Sequence, residues 1–276
     1  MSPSHSRRTR AGVAGAAVLA AAVGGAIGAV ASATSSTDPA AASAAPVVTV
    51  TAQPPETVAE VTAPDVEAAE VDSTVTATAH PSVDDPDSLW VVVNKTRPLD
   101  PVEYVPGDLV RVDGVPGGSA QRMRAVAAAA LVDMYEAASD DGAGFSVSTA
   151  YRSYGFQSSL FAQYAARRGA DLAETFSARP GYSEHQTGLG ADVYASVECR
   201  IKRCFAAEAA GSWIAEHGWE FGFIVRYPEG ANDITGYVYE PWHVRYVGEE
   251  LAAQMHEDGT ETLEDALGLP AAPDYE

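Results

Sequence analysis

The chain has 276 residues, of which 46% are hydrophobic and 20% charged, and its formal net charge is −21. This length allows one or two domains. Nucleic-acid binding requires a basic surface, and the net negative charge gives no support for one, so we expect no nucleic-acid partner.

The negative charge is concentrated in two stretches. Residues 34–89 carry ten carboxylates and no Lys or Arg, and residues 257–276 carry seven carboxylates. Residues 90–256 hold 21 acidic and 14 basic side chains, a net charge of only −7. Like-charge stretches with few aromatic residues are typical of solvated segments. We therefore expect a disordered spacer over 34–88, one folded domain over 89–255 and an acidic flexible tail over 256–276.

Residues 1–33 are predicted to be a signal peptide or an N-terminal membrane anchor. Arg7, Arg8 and Arg10 precede an apolar, small-residue run, and Ala31-Ser32-Ala33 fits an A-x-A cleavage site. A run of this length also spans a bilayer, but its Ala- and Gly-rich composition is weakly hydrophobic and favours cleavage. Both alternatives predict an extracytoplasmic protein, either secreted or membrane-anchored.

The folded domain is predicted to begin with short extended segments. Residues 89–93 and 109–112 are predicted strands, and Pro98 keeps the loop between them from forming a helix. A long helix is predicted from Ser119 to about Ala138, because apolar side chains recur there at helical spacing.

Helices and strands are mixed in the rest of the domain. The remaining predicted elements are a strand over 145–150, a helix over 155–168, a glycine turn at 188–190 leading into a strand at 192–194, a helix over 206–217, and extended segments over 221–227 and 237–247. This order lacks strict βαβ alternation. It predicts an α+β fold with a small, mainly antiparallel sheet flanked by helices.

The chain has two cysteines, Cys199 and Cys204. In an oxidising compartment a local disulfide is expected. A zinc knuckle would need two further ligands nearby, and the sequence offers none. A buried thiol pair is the alternative, but the basic residues Arg200, Lys202 and Arg203 indicate an exposed loop.

Two short stretches, 183–192 and 240–243, contain the side chains of a hydrolytic zinc site. His185, Asp192 and His243 supply two imidazoles and one carboxylate. This set leaves the fourth tetrahedral position open for water, as in catalytic zinc sites.

Glu240 remains as a carboxylate placed to accept a proton from that water. Glu240 and His243 are three residues apart, which on a regular strand would put them on opposite faces. A bend at Pro241-Trp242 is therefore needed to bring both side chains to one site.

These stretches resemble the VanY-type D-alanyl-D-alanine carboxypeptidases, zinc peptidases with a Hedgehog/DD-peptidase-like fold. The matching residues are Ser183, His185, Gly188 and Asp192 of an S-x-H-x-x-G-x-A-x-D motif, and Glu240, Trp242 and His243 of an E-x-W-H motif. Further matches are Tyr151-Arg152-Ser153 with Gln157, similar to Y-R-S-x-x-x-Q, and more weakly Asn94-Lys95 with Pro98-Leu99. The resemblance covers about residues 89–247.

By position, the resemblance implies a Zn²⁺ ion held by His185, Asp192 and His243, with Glu240 as general base and acid. It implies that Arg152 stabilises the oxyanion, a role that suits a fixed guanidinium. Ser183 and Gln157 are implied to seat the terminal carboxylate of the substrate. Trp242 is a further candidate for substrate contact.

The implied function is removal of the terminal D-Ala from peptidoglycan stem peptides. Alternatives on the same scaffold are an LD-carboxypeptidase and an L-alanyl-D-glutamate endopeptidase, which differ in pocket shape. Another is a non-catalytic cell-wall-binding domain with structural zinc. Structural zinc sites usually close the fourth position with a protein ligand, and the sequence offers no obvious fourth ligand. The oligomeric state and the anchoring of the chain stay open.

Overall fold

A computed structural model describes residues 81–275 of the chain. The predicted signal peptide or anchor, and the predicted spacer up to residue 80, lie outside the described residues. Residues 81–275 combine helices with antiparallel strands, and the predicted α+β class is confirmed.

The central sheet has four antiparallel strands. They are β3 (Ser146–Thr149), β4 (Gly190–Tyr194), β5 (Phe223–Val225) and β6 (His243–Tyr246), in the spatial order β3-β4-β6-β5. A smaller sheet pairs β1 (Leu109–Arg111) with β2 (Arg122–Arg124), also antiparallel.

Seven helices are described within residues 81–275. They are α1 (Ala125–Asp140), α2 (Tyr154–Arg168), α3 (Ala170–Glu174), α4 (Ala209–His217), α5 (Asn232–Thr235), α6 (Glu249–Asp258) and α7 (Leu263–Ala266), with 3-10 turns at Gly118–Ala120, Glu184–Thr187, Arg203–Ala207 and Gly218–Phe221. Leu131 and Met134 of α1 are fully buried in one cluster with Val193 and Val244 of the sheet. Burial of each such large side chain stabilises the fold by about 1.5–3 kcal/mol. No helix within residues 81–275 is long and apolar enough to cross a bilayer.

The predicted start of the long helix at Ser119 is wrong. Gly118–Ala120 form a 3-10 turn, Arg122–Arg124 pair with β1, and the helix begins only at Ala125. Met123 is fully buried between an exposed Arg122 and a half-buried Arg124. This alternation has the period of two that a strand requires.

The predicted strand at residues 89–93 belongs to neither sheet, although Val91, Val92 and Val93 are buried. Its backbone is satisfied in other ways. The amide of Val92 donates to the carbonyl of Val83 at 2.9 Å, and the carbonyl of Val91 accepts from Arg245 at 2.7 Å. The side chain of Arg245 supplies a hydrogen bond that a neighbouring strand would otherwise provide.

Both predicted boundaries of the folded domain need correction. The expected flexible tail begins inside α6, and α7 follows with Leu263 and Glu264 fully buried. Leu267 and Leu269 pack against the same apolar cluster, as does Val83 before the expected start at residue 89. The acidic residues of the tail concealed this apolar pattern, and the folded unit spans the described residues up to 275.

Candidate active site

His185 is positioned by the 3-10 turn Glu184–Thr187, which leads into β4. Gly188 ends this turn at a φ of 70°, a left-handed conformation that favours glycine. A Cβ atom at Gly188 would also lie 2.9 Å from Leu109. The Nδ1 atom of His185 lies 2.7 Å from the carbonyl of Ala150. Because a carbonyl can only accept, Nδ1 carries the proton and Nε2 keeps a lone pair for a metal.

Asp192 and His243 are cross-strand neighbours, since β4 and β6 pair with these two residues opposite each other. Nδ1 of His243 lies 2.9 Å from Oδ1 of Asp192, and Nε2 of His185 lies 3.4 Å from Oδ2. The ligand atoms of the three buried side chains all lie within 4.8 Å of one another. Two imidazoles and one carboxylate at this spacing fit a single zinc ion.

Glu240 reaches the cluster through a turn. The amide of His243 donates to the carbonyl of Glu240 at 3.0 Å, so the bend predicted at Pro241-Trp242 is present. The side chain of Glu240 is only 8% exposed. Burial, assisted by the charge of Asp192, raises the pKa of Glu240 to about 8 against the opposing effect of His243. A carboxyl group that titrates near neutrality can both accept and return a proton.

The two histidines have different electrostatic environments. Burial and the nearby charge of Arg152 lower the pKa of His185 to about 4. Burial also disfavours the charged form of His243, but its hydrogen bond to Asp192 and the nearby carboxylate of Glu184 raise its pKa to about 9. Burial acts to raise the pKa of Asp192, yet the histidines hold it well below its usual range. A metal ion at this site would be held by ionised Asp192 and by the neutral forms of His185 and His243, so its binding would release a proton from His243.

These side chains line one pocket of about 400 Å³, and Arg152, Ser183 and Trp242 line it too. Arg152 lies three residues after the end of β3, and its backbone amide donates to the carbonyl of His185 at 3.1 Å. Its Nε atom is buried without a hydrogen-bond partner in the described part of the chain. Burial lowers the pKa of Arg152, and the charges of Asp192 and Glu240 oppose that shift. Such a guanidinium is available to bind a carboxylate or an oxyanion of a ligand.

The structure places Gln157 behind the pocket wall and not in the pocket. Its side chain is fully buried on α2, and its amide nitrogen donates to the carbonyl of Ala178 at 2.7 Å. Ala178 and Ser177 line the pocket. The position of Gln157 indicates support of the pocket wall, and its direct contact with substrate stays a prediction.

A buried group of charged residues lies behind the metal ligands and was not predicted from the sequence. We call it the Glu184 network: Glu184, Arg226, Arg245, Glu264 and Asn94. Oε1 of Glu184 accepts from Arg226 at 2.7 Å and from Arg245 at 2.8 Å. Arg226 also donates twice to Glu264, at 2.7 and 2.9 Å, and Asn94 donates to Glu264 at 2.9 Å. Oε2 of Glu184 faces Nε2 of His243 at 3.5 Å, so the network reaches a metal ligand.

One sequence signal pointed to this network. Arg226 and Arg245 stand within strongly apolar strand segments, Phe-Ile-Val-Arg-Tyr and His-Val-Arg-Tyr. A charged residue in a buried strand is almost always paired. Two such residues therefore predict a buried carboxylate partner, although not which one.

Two imidazoles and a carboxylate, beside a second carboxylate and a guanidinium whose Nε has no partner within residues 81–275, are the groups that a metal-dependent hydrolase requires. The family profile described as "VanY: D-alanyl-D-alanine carboxypeptidase" matches residues 120–249. YodJ of Bacillus subtilis (strain 168), a candidate carboxypeptidase, is 37% identical over 190 residues, covering 67% of this chain and 68% of YodJ. The chain belongs to the VanY family of D-alanyl-D-alanine carboxypeptidases, and is a metallocarboxypeptidase.

Solved structures share the fold. The LD-carboxypeptidase LdcB has 36% sequence identity and a TM-score of 0.61, covering 66% of this chain and 87% of the LdcB chain. A variant of the D,D-pentapeptidase VanY, solved with Zn(II), has 32% identity and a TM-score of 0.54, covering 64% of this chain and 97% of the other. The Hedgehog/DD-peptidase-like fold implied by the resemblance is confirmed, and zinc is the ion that the His/Asp/His cluster fits.

Proposed function

We propose that this protein is a zinc-dependent carboxypeptidase that removes the terminal D-Ala from peptidoglycan stem peptides. One observation supports the proposal above all: the three candidate metal ligands line the same pocket as Glu240 and Arg152. The family profile names D-alanyl-D-alanine carboxypeptidases. A purely structural zinc site would close its fourth position with protein.

His185, Asp192 and His243 would hold the zinc ion. When bound, zinc supplies a Lewis acid and lowers the pKa of a coordinated water towards 7 or so. The cluster suits this chemistry because three protein ligands leave room for water and substrate.

Glu240 carries the proton transfers in this proposal. It accepts a proton as the oxygen of water bonds to the carbonyl carbon of the scissile amide. The C–N bond then breaks, and Glu240 returns the proton to the nitrogen of the leaving D-Ala. Glu240 is buried and lines the same pocket as the three metal ligands, which supports this role.

Arg152 stabilises the negative charge that develops on the carbonyl oxygen. Its place in the pocket, and its Nε atom that has no partner among residues 81–275, support that role. Ser183 and Trp242, which line the same pocket, are proposed to contact the substrate around its terminal carboxylate.

An LD-carboxypeptidase is the second candidate. LdcB, an LD-carboxypeptidase, superimposes with a TM-score of 0.61, against 0.54 for the D,D-pentapeptidase VanY. The two activities share the ligands, Glu240 and Arg152, and differ in the residue that precedes the scissile bond.

The test is treatment of purified muropeptides with the zinc-loaded protein, followed by mass spectrometry. Loss of one alanine from stems ending in D-Ala-D-Ala supports the first activity. Loss of alanine only from stems ending in L-Lys-D-Ala supports the second. Turnover in both cases should stop after zinc is chelated and return when it is added back. A folded, zinc-loaded protein that cleaves neither stem would refute the proposal.

We further infer that the protein acts outside the cytoplasm, on the cell wall. The disulfide between Cys199 and Cys204 supports this, because disulfides persist mainly in oxidising compartments. Residues 1–33 would serve as a signal peptide or membrane anchor, and the residues up to 80 as a spacer. Intact-mass analysis of the exported protein distinguishes cleavage after Ala33 from retention of an anchor.

A further inference from the structure

The disulfide-closed loop, residues 199–204, borders the active-site pocket. Ile201 lines the same pocket as Glu240 and His243. Its side chain is 42% exposed and offers an apolar surface to the pocket. The metal site and the proton transfers make no use of it.

The backbone of Ile201 is in a conformation that isoleucine rarely adopts. Its φ is 54°, and it is the one non-glycine residue within 81–275 with a positive φ. For a β-branched residue this left-handed conformation is unfavourable, and it persists only where the surroundings impose it. Such residues occur preferentially at binding sites.

The surroundings that impose this conformation are visible. The Cys199–Cys204 disulfide closes the loop, and the amide of Lys202 donates to the carbonyl of Cys199 at 3.1 Å. Arg200 ties the loop to the central sheet, because its Nε donates to Oγ of Ser148 at 2.8 Å.

The two neighbours of Ile201 are engaged elsewhere. The guanidinium of Arg200 also lies over the ring of Tyr194, 5.0 Å from its centre. Nζ of Lys202 donates to the carbonyl of Glu198 at 2.7 Å. Ile201 is therefore the side chain that the loop presents to the pocket.

We propose that Ile201 is a specificity-determining contact for an aliphatic side chain flanking the scissile bond, and that the disulfide is the positioning device that holds it there. This inference rests on the proposed peptidase function. It adds that substrate recognition depends on a covalently closed loop outside the VanY motifs.

The test uses Ile201→Gly in the full-length zinc-loaded protein. Glycine adopts positive φ readily, so the substitution removes the side chain and keeps the loop backbone. We expect KM for the stem peptide to rise about three- to tenfold, as for an apolar contact at a pocket rim. The kcat and the zinc content stay unchanged. The matched control is Val197→Ala, an exposed apolar residue two positions before Cys199 that does not line the pocket.

Substrate analogues separate contact from a general disturbance. Glycine replaces, in turn, the residue on either side of the scissile bond. The effect of Ile201→Gly should disappear for one of the two analogues, which identifies the contacted side chain. An unchanged KM, or an equal rise for both analogues, overturns the contact.

The disulfide is tested by a double-mutant cycle with the pair Cys199→Ser and Cys204→Ser. Removal of the disulfide should raise KM in the wild-type background and add little in the Ile201→Gly background. Fully additive effects would show that the disulfide does not act through Ile201. If the cysteine pair prevents folding, the analogue experiment alone decides the contact.

Failure of the proposed function gives a different result from failure of this inference. If the wild type cleaves stem peptides and Ile201→Gly behaves identically, only the loop inference is wrong. If the wild type binds a stem peptide without cleaving it, calorimetry should show Ile201→Gly weakening that binding by the same factor. If it does not bind the peptide at all, both proposals are wrong.

Discussion

Two groups of buried charged side chains lie next to each other in this protein, and they differ in how their hydrogen bonds are satisfied. In the Glu184 network, Arg226 and Arg245 are fully buried and their guanidinium groups donate to carboxylates or carbonyls. In the pocket, Nε of Arg152 has no partner within the described chain. Hydrogen-bonded guanidinium groups hold a fold in one arrangement, whereas an unsatisfied guanidinium in a cleft is available to a ligand. We therefore expect the Glu184 network to contribute mainly to stability and the pocket residues to contribute mainly to catalysis.

The largest effect on catalysis is expected from Glu240→Gln in the pocket. This near-isosteric change removes the base without adding a cavity. We expect kcat to fall about 10²–10⁴-fold, the usual contribution of general acid–base catalysis. Zinc content and thermal stability should stay at wild-type values. Steady-state kinetics on a stem peptide, with Glu250→Gln on the exposed face of α6 as the matched control, measure it. Retained turnover would exclude Glu240 as the base.

Removal of a charge from the Glu184 network should lower the stability of the fold and leave kcat nearly unchanged. Glu264→Ala leaves Arg226 buried with Glu184 as its remaining carboxylate partner. Breaking a buried pair in this way costs about 3–5 kcal/mol of unfolding free energy. Denaturant titration should show this loss, and the exposed Glu261→Ala should show none. The kcat of the folded fraction should be nearly unchanged, and a large loss of kcat without a stability change would contradict the comparison.

The same substitution predicts a change in acid stability. Burial acts to raise the pKa of Glu264, but the charge of Arg226 and hydrogen bonds from Arg226 and Asn94 lower it. Because the folded-state pKa lies below the unfolded value of about 4.3, Glu264 stabilises the fold above that pH, and this contribution is lost as the pH falls further. Unfolding free energies between pH 7 and pH 3 should fall less steeply in Glu264→Ala than in the wild type.

How much could be predicted from the sequence depends on whether the signal was local. The metal ligands lie in two short motifs, and the chemistry of imidazole and carboxylate identified them before any geometry. The bend between Glu240 and His243 followed from Pro241. The partner of Arg226 is 38 residues away at Glu264, inside a segment whose acidic composition predicted a flexible tail. Long-range ion pairs of this kind have no fixed sequence separation that could identify the partner, because tertiary packing determines which residues meet.

Gln157 shows the same limit at a single residue. Its match to a motif indicated a contact with substrate, and only the packing of α2 reveals that its amide faces Ala178. The expected strand at residues 89–93 failed for a related reason. Its apolar residues are buried as predicted, but the hydrogen bonds of its carbonyls come from the side chain of Arg245.

Glu184→Gln tests the point where the two groups meet. Oε2 of Glu184 faces Nε2 of His243, and a carboxylate there favours the proton on Nε2 that leaves Nδ1 for the metal. We expect zinc affinity to fall about 10–100-fold, as for other partners that orient metal-binding histidines. Competition with a chromogenic chelator measures the zinc dissociation constant. The exposed Glu198→Gln serves as the control. An unchanged zinc dissociation constant would confine Glu184 to the stability of the network.

The smallest expected effect belongs to Gln157→Met, which sharpens the distinction between the pocket and its supporting wall. Methionine fills a similar volume but cannot donate to the carbonyl of Ala178, so this half-buried acceptor loses its partner from Gln157. The loss should cost about 1 kcal/mol of unfolding free energy. Because the wall moves and the catalytic side chains do not, KM should rise only about two- to fivefold with kcat unchanged. The exposed Gln163→Met on the same helix is the matched control. If Gln157 instead touched the substrate carboxylate, the stability would be unchanged and KM would rise much further, since a charged group would lose its hydrogen bond.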